Sequence, residues 1–215
     1  MSDKEKTTSN HARETAYEVG LNLLPYVGGG LAALYTSNRD KKKFQRIESF
    51  YEETSAKINQ MDQSLKELLK EQTHDNDSII SLIEQVNEKI EKENRDIKKQ
   101  CLQKFLINSL LNSTTEETLD QREYFLDALS NLTIFEIELI SLLYREDRII
   151  NMNDIGMHNN EDRYAVLGFV NRVRNYGFLE LYIGGEFHVG AVDNSLNDNV
   201  KISEFGKRFV TFCLV

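Results

Sequence analysis

The sequence predicts a mainly α-helical protein, with a long antiparallel helical hairpin of coiled-coil type followed by a smaller α+β C-terminal domain. Three observations carry this reading. Phe44, Ile47, Tyr51, Thr54, Ile58, Met61, Leu65 and Leu68 alternate spacings of three and four, the apolar seam of a packed long helix. A single proline, no tryptophan and long tracts rich in Lys, Glu and Gln leave little to interrupt helices. In the last third, two short strand-like runs flank Gly184-Gly185, the pattern of a tight hairpin turn.

The 215 residues divide on this reading into three parts. Residues 1–39 form a polar N-terminus and a glycine-rich apolar segment, 40–112 the helical hairpin, and 113–215 a helical linker with the C-terminal domain. A hydrophobic content of 40% suits a protein with a real core. The net charge of −9 argues against a general polyanion binder, because phosphate neutralisation supplies most non-specific nucleic-acid affinity. Cys101 and Cys213 fit no metal spacing and read as reduced core residues of a cytosolic protein. No signal peptide is expected, since the first apolar run starts near Val19 and lacks a cleavage site.

Between Val19 and Tyr35 the chain carries no charge. Two readings of this segment stand side by side. In one, Pro25 and Gly28, Gly29 and Gly30 make an elbow between short helices that pack on the hairpin. In the other, the segment contacts a membrane. Leu24, Ala32 and Ala33 contribute apolar surface there, and Gly28 with Ala32, and Gly29 with Ala33, give the small-xxx-small spacing of close helix approach in lipid. Arg39, Lys41, Lys42, Lys43 and Arg46 follow as cytoplasmic flanks of membrane segments do. Soluble packing is the preferred reading, because Asn22, Pro25 and the glycines make a poor span.

The seam helix is expected over Asp40–Glu71, with a turn at Thr73–Ser78 capped by Asp77 or Ser78. The returning helix is expected over Ser78–Asn112, its outer half a polar stalk and Cys101–Leu111 entering a core. Thr114-Thr-Glu-Glu117 and Thr133-Ile-Phe-Glu136 have the form of capping boxes and start two further helices. A short helix is expected near Asn153–Met157, then a helix over Glu161–Tyr176 closed by Gly177. Phe178–Ile183, Glu186–Val192 and Val200–Ile202 read as strands, and Ser203 caps a last helix.

That order of helices around a hairpin, with Tyr176-Gly-Phe-Leu-Glu180 and Ile202-Ser-Glu-Phe-Gly-Lys-Arg-Phe-Val210 at its flanks, resembles a winged-helix module over residues 123–215. The whole chain also resembles uncharacterised bacterial helical proteins met among phage-resistance and abortive-infection genes. The residues that carry this are Leu24-Pro-Tyr-Val-Gly-Gly-Gly-Leu-Ala-Ala33, Lys41–Phe50, Leu129-Ser-Asn-Leu-Thr133 and Ile202–Val210. The resemblance implies a defence or mobile-element setting and assigns no catalytic residue.

The chemistry expected is that of contacts rather than catalysis. His11, His74, His158 and His188 lack partners at metal-ligand spacing. Gly28–Gly30 leads into Leu31 and Ala32 rather than Lys-Ser/Thr, so it is no phosphate loop. No enzyme activity, cofactor or metal is expected. The expected partner is protein, including a second copy in a homo-oligomer, with membrane association open and nucleic acid less favoured. The rival reading is a winged-helix DNA-binding regulator. In it Arg163, Asn171, Arg172 and Arg174 reach bases or phosphates from a recognition helix. Against it, the region of the wing holds Glu186, Asp193 and Asp198 with only Lys201 basic.

Overall fold

A computed structural model describes residues 38–155, 163–183, 186–188 and 198–215. It is mainly helical, with one small antiparallel sheet. The chain divides into two compact units, Met1–Leu126 and Asp127–Val215.

In the first unit the expected seam helix is two helices. Helix α1 spans Asn38–Asn59 and α2 spans Gln63–Glu71. The break is local chemistry that the apolar period does not register. Gln60 and Met61 tighten into a final turn on the carbonyls of Lys57 and Ile58 at 3.1 Å. Lys66 Nζ then reaches back to the Asn59 carbonyl at 2.8 Å, and Asp62 leaves in an extended conformation. The interruption shifts the phase of everything after it. Ile47 and Ile58 are buried as the seam requires, with Phe50 and Thr54 beside them. Leu65 and Leu68, however, are 36% and 43% exposed, while Leu69 faces inward. Met61 falls in the break and is half-buried, and the side chain of Phe44 lies outside the described residues.

The returning helix is also two, α3 over Asn76–Lys92 and α4 over Asp96–Leu111. Lys43 Nζ meets Glu91 at 2.9 Å and the Tyr51 hydroxyl donates to Asn87 at 2.8 Å, so α3 runs antiparallel to α1. The chain then reverses again at Glu93–Arg95. The Asp75 amide donates to the Thr114 carbonyl at 2.8 Å, which sets the start of α3 beside the end of α4. Helices α1, α3 and α4 pack together, and no polar stalk is formed. The reversal rests on one carboxylate. Glu93 accepts from the Asn94 and Arg95 amides, both at 2.9 Å, and from the Arg95 guanidinium at 2.8 Å. Burial alone would raise its pKa, yet these bonds and the Arg95 charge together hold the carboxyl down at about 2.

Two caps sit one to three residues from their expected places. Helix α3 is capped by Asp75, whose carboxylate accepts from the Ser78 amide at 2.9 Å. Helix α5, Glu116–Asn131, starts a residue late for a Thr114–Glu117 box; Thr118 instead accepts from the Thr115 amide at 3.0 Å. Thr114 is buried and belongs to a different arrangement described below.

The second unit holds the end of α5 and then α6, Ile134–Glu146, whose Thr133–Glu136 capping box is complete. Strand β1 (Ile150–Asn151) and a single 3-10 turn (Met152–Asp154) follow. Next come α7 (Arg163–Asn175), β2 (Leu179–Ile183), β3 (Glu186–His188), β4 (Asn199–Ile202) and α8 (Glu204–Cys213). The sheet order is β1-β4-β2-β3, all antiparallel. Ile183 pairs with Glu186, so two residues connect β2 to β3; the turn conformation of Gly184-Gly185 lies outside the described residues. Leu179, Leu181, Val200 and Ile202 face inward at the alternation of half-buried strands. They meet an aromatic cluster in which Phe178 stacks on Phe209 at 4.3 Å and tilts on Phe205 at 5.7 Å. Phe178 and Phe209 are fully buried, and burial of such a ring contributes about 1.5–3 kcal/mol.

Two glycines make this packing feasible. Gly177 ends α7 at φ 74°, a left-handed conformation that a side chain resists. Gly206 brings α8 against the chain before β2, where an added Cβ would lie 2.3 Å from the Phe178 carbonyl oxygen.

Candidate functional site

Helix α7 is where the sequence concentrates groups able to recognise a partner. Val166, Val170 and Val173 form its buried stripe, so its remaining positions face outward or sideways. The structure separates the four candidate contacts. Arg172 lies beside Glu136, a carboxylate with 0% exposure. Its Nε donates to Glu136 Oε1 at 2.7 Å, its Nη2 to Glu136 Oε2, and Nη2 also to the Asn131 carbonyl at 3.0 Å. Hydrogen bonding to Glu136 holds the guanidinium pKa above its ordinary value.

The same carboxylate completes the α6 cap. It accepts from the Thr133 amide at 2.6 Å and hydroxyl at 2.8 Å, while the Glu136 amide donates to the Thr133 hydroxyl at 3.2 Å. One buried anion therefore joins the start of α6 to the last turn of α7. This is a charge-assisted, two-pronged pair of the strong kind. Asn171 and Arg174 are half-buried on the flank of α7, and Arg163 begins the helix with its side chain outside the described residues.

The first turns of α7 open a different kind of surface. Tyr164 is 76% exposed, with Ala165 next to it and Gly168 one turn along, while Arg172 and Asn175 are the exposed residues towards the end of the helix. A Cβ added at Gly168 would meet nothing within 4 Å. An aromatic ring beside small residues gives a smooth helical surface with a single phenol handle. On α6, Phe135 lies against Phe169 at 4.9 Å and steadies the helix from beneath.

Other buried polar groups are structural. Arg122 closes the end of α4 by donating to the carbonyls of Ser109 at 3.2 Å, Asn112 at 3.2 Å and Ser113 at 2.7 Å, and to the Thr114 hydroxyl. Burial draws its pKa down. His74 accepts from the Thr114 amide through Nδ1 at 3.0 Å. Burial and the nearby Arg122 charge lower its pKa, against a hydrogen bond to the Leu110 backbone. In the α1 seam, burial pushes the Tyr51 phenol far up, against the bond to Asn87. Sequence reasoning missed the Glu136–Arg172 and Arg122 arrangements. A charged residue on the apolar side of each helix was the available signal.

Cys101 and Cys213 are buried and form no disulfide. Among the described residues no group of His, Cys, Asp and Glu is placed to hold a metal, and no helix is long and apolar enough to cross a membrane. The segment with Leu24, Pro25, Gly28, Gly29, Gly30, Ala32 and Ala33 lies outside the described residues, as do His11 and His158. Comparison with known proteins finds no matching family model, no similar curated protein and no similar solved structure.

Proposed function

We propose that this is a non-enzymatic assembly and recognition protein whose C-terminal unit, a winged-helix-like module, contacts protein rather than DNA. The observation that carries the reading is the division of α7. Its exposed residues are Tyr164, Ala165 and Gly168 in the first turns and Arg172 and Asn175 towards the end, where the Arg172 guanidinium is held by Glu136. A helix that reads a major groove presents hydrogen-bonding side chains along its exposed face. Alanine and glycine supply none, whereas a tyrosine beside small residues suits a close protein contact.

The partner proposed first is a second copy of the chain. The biological setting proposed is bacterial anti-phage defence, supported by the phrases at Leu24–Ala33, Lys41–Phe50, Leu129–Thr133 and Ile202–Val210 alone. A membrane role is supported only by the sequence of residues 19–35.

The test pairs two measurements on the full chain. Sedimentation across a concentration series should show self-association that Tyr164→Ala and Gly168→Lys weaken. Titration with random-sequence duplex at low salt should give no binding tighter than micromolar. Tight duplex binding abolished by Arg174→Ala, with sedimentation unchanged by the α7 variants, would hand the module to the DNA-regulator reading.

A further inference from the structure

A second feature of the molecule lies wholly within the first unit. A cleft of about 360 Å³ is lined by Lys42, Gln45, Arg46, Ser49, Phe50 and Glu53 of α1 and by Lys99 of α4. The α1 positions fall on one face of that helix, and Lys99 stands across from them. We propose that this cleft binds a phosphate-bearing ligand, a phosphomonoester held between Lys42, Arg46 and Lys99.

The cations are placed for a dianion. Arg46 Nη1 donates to the Glu91 carbonyl at 2.6 Å, which fixes the guanidinium at the cleft wall before any ligand arrives. Lys42 is exposed. Lys99 pairs with Asp96 at 3.2 Å, but that carboxylate is largely in solvent, and such a pair yields readily to a better anion. The lining holds one acid, Glu53, and its oxygens already accept from Ser49 at 3.2 Å and Gln103 at 2.8 Å. Lys42, Arg46 and Lys99 against Glu53 and the solvent-facing Asp96 leave the cleft positive by one charge in a chain whose net charge is −9.

That excess is maintained by sequence. Arg39, Lys41, Lys42, Lys43 and Arg46 fall within eight residues that hold one acid, Asp40, and with Lys43 paired to Glu91 the neighbouring Lys42 and Arg46 still repel unless a further anion joins them. A carboxylate brings one charge; a phosphomonoester, with its second pKa near 6, brings close to two and three acceptor oxygens. Two lysine point charges with one guanidinium fork match that group. A volume of this size admits a headgroup or sugar phosphate. A soluble metabolite and an anionic lipid headgroup both carry this phosphate, and the experiment separates the two.

The full-length protein is titrated calorimetrically with sn-glycerol 3-phosphate. It is also sedimented with phosphatidylcholine vesicles made with and without phosphatidic acid. Saturable binding at one site per chain is expected, weakened about tenfold by each of Lys42→Gln and Lys99→Gln. Lys201→Gln, in the other unit, should leave it unchanged. Sedimentation only with phosphatidic acid, competed by glycerol 3-phosphate, assigns a lipid source; calorimetric binding without sedimentation assigns a soluble one. Either carries the site. No saturable binding in both arms, or binding indifferent to the two lysine substitutions, overturns it.

Discussion

Glu136 shows how one residue decides the standing of another. Its carboxylate is fully buried, completes the cap of α6 and receives Arg172, so the arginine is a structural partner before it is anything else. Arg172→Ala would leave that anion short of its strongest donor. We expect a loss of about 2 kcal/mol, read as an earlier midpoint in urea unfolding, with any weakened DNA retention following from the damaged fold. Gly206 is equally constrained by its contact with the Phe178 carbonyl. Gly206→Ala should cost about 1–3 kcal/mol through overpacking, seen as a lowered Tm. An unaltered midpoint in either variant would show that the contact is slack.

At the scale of the element, the reversal between α3 and α4 rests on Glu93, and the joint between the loops before α3 and α5 on His74 and Arg122. Both titrate in the direction that costs stability in acid. Glu93 binds protons less readily folded than unfolded. Its contribution is full above the ordinary value of 4.5 and is lost as pH falls toward about 2. Glu93→Gln should remove about 1–2 kcal/mol at neutral pH and flatten the acid limb of a stability–pH curve. His74 also has a lowered folded pKa, so it stabilises above its ordinary 6.5 and ceases to as pH falls below it. Protonation would block the acceptor used by the Thr114 amide and set a cation beside Arg122. Melts between pH 7 and 5 should fall in the native protein and fall less in His74→Asn. The seam offers a separate check: Ile58→Asp buries an unpaired charge and should cost several kcal/mol.

At the scale of the molecule, the two units present two different surfaces. The first carries a basic cleft within an acidic chain, and the second a helix whose first turns expose Tyr164, Ala165 and Gly168. Residues 19–35 are the one stretch whose sequence speaks for lipid. Full-length protein should therefore divide between supernatant and membrane pellet. A variant lacking residues 1–37 should stay in the supernatant with the melting profile of its described helices retained. Identical fractionation of the two would end the membrane reading.

Much of the element list was legible in the sequence because its causes are local. The Thr133–Glu136 box, Ser203 as the cap of α8, Gly177 after α7 and the pairing around residues 184–185 follow from groups a few residues apart. The helical class follows from composition and period. Where the chain turns was less legible. The seam of Ile79, Ile83, Val86, Ile90, Ile97, Cys101 and Phe105 is interrupted near Glu93–Asn94, but Ile90 and Ile97 stand one heptad apart, so the period alone does not turn that interruption into a reversal. In the same way Met61, Leu65 and Leu68 keep a spacing whose phase is already lost at Gln60. The partners of Arg172, Arg46 and Tyr51 lie 36 to 45 residues away, and the pairing of β1 with β4 spans a similar distance. Periodicity and capping are properties of one segment. Burying a charge or closing a cleft needs two, and only their packing decides which two meet.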